Sequence, residues 1–243
     1  MNFKLINIIV LSGIVSMVSG CQVVRIFSAS GKVAYNQTAF ERDVPNAQLK
    51  MLFLGDSTAL GTGAMSNTES VAGWFGQDFP KAHIRNISQN GEKLSGLIKN
   101  FPSLNTHYDL VILQIGGNDI MRFTKFKNIE KNLSLAIDQA KLIADHVVIM
   151  HSGNVGLAPI FSWPLNRLYT SRTRTLREIY IKKAEEKGVL YIDLFQERKD
   201  DIFLKDIDKY YAPDHLHPSG AGYHFWYQMI RRTLEENDIY LSE

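Results

Sequence analysis

The 243-residue sequence has one cysteine, Cys21, so no disulfide can form within the chain. It has almost no charge excess: 27 Lys and Arg against 25 Asp and Glu leave a formal net charge of +2. No basic stretch dominates, so a nucleic-acid-binding role has no electrostatic support. Internal repeats and low-complexity tracts are absent. So are a Walker A loop, whose GK[ST] end is missing after "GDSTALGTG", a GxGxxG turn and an HExxH zinc motif. No cofactor is expected. The longest apolar stretch, Leu5 to Gly20, falls short of the ~20 residues that span a bilayer.

That stretch follows Lys4 at the very start, and a short positive segment before an apolar run reads as an export signal. It ends in "VSGC", Val18 to Cys21, which resembles the lipobox of bacterial lipoproteins. The resemblance implies cleavage before Cys21, lipid attachment at its thiol and anchorage to a membrane. With Gln22 next, it also implies sorting to the outer membrane, facing the periplasm, in a Gram-negative host. An uncleaved anchor or a simple signal with a chance cysteine are the alternatives. The expected organisation is a signal over 1–20, a lipid-anchored tether over 21–49 and one domain over 50–243.

Within that domain apolar runs alternate with amphipathic ones. "KMLFL", "HIRNIS", "DLVILQIG", "VVIMH" and "VLYIDL" read as strands. Between them "ESVAGWFGQDF", "KLSGLIKNF", "NIEKNLSLAIDQAKLIADH" and "RTLREIYIKKAEEKG" read as helices, the second ending before Pro102 and the last capped by Gly188; "GAGYHFWYQMIRRTLEEN" closes the chain. Strands alternating with helices predict βαβ units, a five-stranded parallel sheet and a three-layer α/β/α domain. Ligands of such sheets bind beyond the carboxyl ends of the strands.

Chemistry-bearing residues recur at those ends. Gly55-Asp56-Ser57 follows the first strand, and Ser57 could be a nucleophile or only a helix cap. Asn90-Gly91 follows the second and could offer a bare backbone N–H. Gly116-Gly117-Asn118-Asp119 follows the third, where Asn118 supplies an amide donor. Asp214 and His217 share a loop before the last helix, spaced so that the carboxylate can hold Nδ1–H and leave Nε2 as a base. His215 between them leaves a metal pair as an alternative, without a third ligand at helix spacing. One edge of one sheet would thus gather nucleophile, base, orienter and oxyanion donors.

This set resembles the SGNH hydrolases, the GDSL lipase/esterase family. The match runs from Leu52 to about Gly222, with Thr58 where the family's first block has leucine. The resemblance implies a flavodoxin-like fold and an ester hydrolase. Ser57 would be the nucleophile, His217 the base, Asp214 its orienter, and Ser57 N–H, Gly91 N–H and Asn118 the oxyanion hole. A G-x-S-x-G elbow is a poorer match, because Ala59 replaces its last glycine and Asp214 and His217 share one loop. A lipoprotein of this fold that only binds is a further alternative.

The expected substrate is a lipid or other acyl ester, with an acetyl ester of a cell-wall or capsular sugar as the runner-up. Residues 152–173 read as a long loop, either packed or a lid, carrying Phe161, Trp163 and Tyr169 as candidate substrate contacts beside Arg167, Arg172 and Arg174. His151, at the end of the fourth strand, is another candidate contact. His83, His107, His224, Asp56, Asp119 and Asp193 read as structural. The sequence says nothing of oligomeric state.

Overall fold

Alternate residues of the central strands point to opposite faces, and this splits the core in two. In the computed structural model, which describes residues 38–243, β1 (Lys50–Gly55) sends Leu52 and Leu54 into one apolar cluster and Met51 and Phe53 into the other. β3 (Tyr108–Gln114), introduced with β2 (His83–Asn86) before it, does the same with Val111 and Leu113 against Leu110 and Ile112. β4 (Ala144–Met150) and β5 (Leu190–Ile192) complete a parallel sheet of order β2-β1-β3-β4-β5. Both faces are covered, as an all-parallel sheet requires. This is the expected three-layer α/β/α architecture.

Short helices α1 (Ser57–Leu60), α3 (Leu94–Leu97) and α4 (Gly117–Met121) leave strand ends, with α2 (Val71–Asp78) between the first two. The longer α5 (Phe126–Lys141) and α6 (Leu165–Lys187) lie on the first cluster. Two short helices, α7 (Ile202–Lys205) and α8 (Ile207–Tyr210), lead to α9 (Gly220–Glu236), which packs with α2 on the second. None of the described helices is long and apolar enough to cross a membrane.

Three expectations meet the structure differently. The signal segment 1–20, Cys21 and the tether as far as residue 37 lie outside the described residues. The rest of the tether is packed on the domain. Arg42 exchanges two backbone hydrogen bonds with Ile84 of β2 (2.8 Å each), its Nη1 donates to Gly76 and Phe79 carbonyls, and Phe40 is buried. The ordered unit therefore begins ahead of residue 50. The helix expected over "KLSGLIKNF" stops at Leu97, Gly96 within it being a weak helix former, and a 3-10 turn follows at Phe101–Ser103.

The third difference bears on the site. α6 starts at Leu165, not at Arg174, so much of the expected loop 152–173 is helix. Its buried stripe is Leu165, Tyr169, Thr173, Leu176, Tyr180 and Ala184. Thr173 interrupts the apolar pattern, but its hydroxyl donates to the Tyr169 carbonyl at 2.7 Å and is satisfied within the helix.

Gly55 marks where the sheet edge turns. A Cβ there would lie 2.0 Å from the Gln114 carbonyl oxygen and 2.6 Å from Ala59 Cβ. The backbone of β1 thus passes β3 at a distance only glycine allows, and Asp56 N–H donates to the same Gln114 oxygen (3.2 Å). Gly55→Ala should cost about 3 kcal/mol of stability, as overpacking against fixed backbone does. Urea unfolding of the two proteins checks this; an unchanged midpoint would mean that the turn yields freely.

Candidate active site

Ser57 is not the cap of the helix it opens. That role belongs to Asp56, whose Oδ1 accepts from Thr58 N–H (2.9 Å) and from the Thr58 hydroxyl (2.7 Å). Ser57 is the first helical residue, and its Oγ is free to donate to His217 Nε2 at 2.9 Å. On the other side of the ring, Nδ1–H donates to Asp214 Oδ2 at 2.6 Å. Asp214 Oδ1 accepts from the backbone N–H groups of Leu216 and His217, both at 3.0 Å. Burial alone would raise the Asp214 carboxyl, but the hydrogen bonds from His217 and the two amides outweigh it and hold the group below the ordinary carboxylate range.

The loop carrying this pair is pinned at several points. Ala212 N–H donates to the His217 carbonyl (2.8 Å), Tyr211 bridges to Pro218, and the His215 carbonyl accepts from Ile160 N–H (3.1 Å). His215 itself is exposed and takes a left-handed conformation (φ 57°), while Asp214 and His217 on either side are buried. It therefore does not share a metal with His217. Among the described residues no three His, Cys, Asp or Glu side chains gather as metal ligands.

The ends of β2 and β3 lie on either side of β1. The end of β2 and the segment after it are tied to β1, α1 and the turn beyond α1: Gln89 N–H donates to the Gly55 carbonyl, Asn86 Nδ2 to the Ala59 carbonyl, and Thr62 Oγ1 to Asn90 Oδ1. These bonds fix Gly91, which has φ 75° and makes no hydrogen bond through its N–H among the described residues. Asn118, on α4 after β3, is buried. Ser57, Asn118 and His217 all line one open cleft of about 770 Å³, counted out to its solvent-exposed mouth. Gly91 stands just outside that lining, with Arg122 Nη2 2.9 Å from where its Cβ would be.

The sequence model of a family of GDSL-like lipases and acylhydrolases matches residues 53–225. The chain belongs to that family. It is a carboxylic ester hydrolase, and the reading of a protein that only binds is set aside. Solved structures similar to it include a lipolytic G-D-S-L family member from Veillonella parvula (17% identity, TM-score 0.59), covering 77% of this chain and 98% of that one. An extracellular lipase from Streptomyces rimosus (15%, 0.57) covers 76% and 99%, and Axe2, an acetylxylan esterase from Geobacillus stearothermophilus (21%, 0.55), covers 76% and 94%. At these identities the likeness is one of fold. No curated protein matches the sequence.

The departure from the family's first block, Thr58, does more than replace an apolar contact. Its hydroxyl bonds Asp56 and lies 3.3 Å from Ser152 Oγ across the cleft floor. Asp56 is fully buried, and burial raises its carboxyl despite these bonds.

The candidate substrate contacts are corrected. Phe161 and Tyr169 are core residues whose rings meet edge-on at 4.8 Å, because the helix start at Leu165 turns them inward. Trp163 is on the surface, outside the cleft. His151 is buried behind the site: its Nδ1–H donates to the Gly153 carbonyl (3.1 Å) and Nε2 accepts from the Tyr191 hydroxyl (2.8 Å). The cleft walls come instead from residues the sequence reading did not single out, with Phe203 on α7, Leu216 beside the base, and Phe225 and Trp226 on α9. Topology could have flagged them, since whatever joins β5 to the Asp214 loop must cross the same sheet edge. His83, His107 and His224 pair with Asp43, Asp145 and the Trp74 ring, away from the cleft. Asp193 is engaged by Arg177.

Burial lowers the His151 ring from 6.5 to about 4. A depressed histidine stabilises the fold above its unfolded value, and that stability drains as pH falls from 6.5 toward 4, where the unfolded chain binds a proton the folded one refuses. Across that window the loss attributable to His151 should reach about 3 kcal/mol. Urea unfolding at pH 7 and pH 4.5 checks it: His151→Gln should show a flatter pH dependence than wild type, and parallel curves would contradict it.

Proposed function

We propose that the chain hydrolyses acyl esters through Ser57, His217 and Asp214, with an acyl-enzyme intermediate. The observation that carries this reading is the continuous hydrogen-bonded chain from Ser57 Oγ through His217 to Asp214, at 2.9 and 2.6 Å, opening on the cleft. His217 Nε2 takes the hydroxyl proton as Oγ attacks the ester carbonyl. The carbonyl electrons move onto oxygen, which faces Ser57 N–H, Gly91 N–H and the Asn118 amide. Collapse expels the alcohol, which takes the proton from His217. Water then attacks the acyl carbon by the same route, giving up a proton to His217; collapse breaks the bond to Ser57 Oγ, which takes that proton back from His217 as the acid leaves. A carboxyl held low, as Asp214 is, stays ionised and stabilises the imidazolium formed in each step.

The apolar walls of the cleft, Met121, Val155, Leu194, Phe203, Phe225 and Trp226, favour an acyl chain over a bare acetyl group. A lipid ester of the bacterial envelope fits them best. Ser152, Asn154 and Gln196 also line the cleft, and they favour a second reading, a short acyl group on a sugar, as in the acetylxylan esterase of similar fold. The lipobox-like "VSGC" supports export and a lipid anchor on Cys21, with the domain held at a membrane surface.

Ser57→Ala should lower turnover by about 10⁴-fold or more and abolish labelling by a fluorophosphonate. Asn118→Ala should cost roughly 10²-fold to 10³-fold in kcat as an oxyanion donor does. Rates across acetyl, octanoyl and palmitoyl esters should rise beyond acetyl; activity confined to acetyl would favour the sugar ester. Cys21→Ser should move the protein from the membrane fraction to the soluble one, and unchanged fractionation would defeat the anchor.

A further inference from the structure

Charge is balanced over the whole chain but not over its surface. Residues 120–129 and 152–177 contain no Asp or Glu. The first segment runs from α4 into α5; the second runs from the end of β4 through the first half of α6. Arg174 and Arg177 pair with Glu197 and Asp193. Arg122, Lys125, Lys127, Arg167 and Arg172 form no salt bridge among the described residues, and the first four are exposed; buried Asp119 acts electrostatically on Arg122 and Arg172.

Large apolar side chains stand among these cations. Trp163 is 60% exposed, Phe123 48% and Leu168 44%. Trp163 precedes the cap of α6 and Leu168 lies one turn in, the two positions that face each other at a helix entrance. Phe123 is 5.7 Å from the Tyr169 ring, and the Arg172 guanidinium lies over both Phe123 and Phe126, at 5.2 and 4.6 Å. Phe123 takes the left-handed conformation (φ 53°) that ends α4, its N–H donating to the Ile120 carbonyl and that of Thr124 to the Asp119 carbonyl, and its ring is left about half exposed.

From these features we infer that the α4–α6 surface docks on an anionic lipid bilayer, with Trp163, Leu168 and Phe123 entering the headgroup region and the unpaired Arg and Lys side chains meeting lipid phosphates. Tryptophan at an interface and a basic rim around an apolar patch are the chemistry such a surface recruits. The patch also borders the cleft: Met121, next to Arg122, lines it, and Arg122 itself covers Gly91. Docking there would bring the mouth to the lipid. The inference stands on this surface alone and is independent of the roles given to Ser57, His217 and Asp214.

The test uses the full chain, so that its apolar N-terminal segment is common to every variant, and vesicles of brominated phosphatidylcholine with and without phosphatidylglycerol. The fluorescence lost between wild type and Trp163→Phe isolates the signal of Trp163. That signal should be quenched by the anionic vesicles. Lys127→Glu combined with Arg167→Glu should weaken the affinity read from it at least about 25-fold, at roughly fivefold per charge. Three outcomes would overturn the inference: Trp163 emission indifferent to lipid; quenching that is equal in neutral vesicles and unmoved by the charge reversals; or a shift that tracks protein concentration without lipid, which would mark a second copy of the chain as the occupant.

Discussion

Everything at the site depends on how closely β1 is allowed to pass β3. The approach at Gly55, where the Gln114 carbonyl occupies the space of a side chain, turns the chain at once into α1. Asp56 can then cap that helix and Ser57 can open it. Because β1 lies between β2 and β3, the ends of both neighbours come up beside the serine. Gly91 follows the neighbour on one side and Asn118 the neighbour on the other, so on the proposed assignment the order of strands becomes the order of groups around the reacting carbon.

The capping arrangement resolves a competition that the residue types leave open. A serine at a helix entrance can spend its oxygen on the backbone or on chemistry. Here Asp56 takes the backbone, and Thr58 supplies a second bond to that carboxylate. The cost is a buried acid whose ionised form is disfavoured. The neighbouring Asp214 has the opposite balance, with two amides and an imidazole offsetting its burial. Two aspartates that both act on His217 thus differ because one is bonded to its own helix and the other to the base itself.

Legibility in the sequence followed the length of the signal. The strands are short runs of branched apolar residues, and a buried strand needs no more than that. The groups at their ends were legible for the same reason, since sheet topology assigns them one edge. The start of α6 was not, because Thr173 and its flanking polar residues read as loop until the Tyr169 carbonyl absorbs the hydroxyl. That single misreading moved Phe161 and Tyr169 from core to cleft in expectation. The true walls, Phe203, Phe225 and Trp226, lie in segments whose aromatic content fits ordinary packing equally well. Which of two buried faces an aromatic covers is decided by neighbours far along the chain, and no local pattern carries it.

Ser57 and His217 are 160 residues apart, at nearly opposite ends of the domain, whereas His217 and Asp214 are three apart. Synthesis runs from the first to the last. A growing chain therefore presents its serine early and its base only when almost complete, and even then the two meet only after the sheet between them has assembled. On the proposed assignment the site is therefore incomplete throughout translation, and any fragment truncated ahead of Asp214 lacks both the base and its orienter.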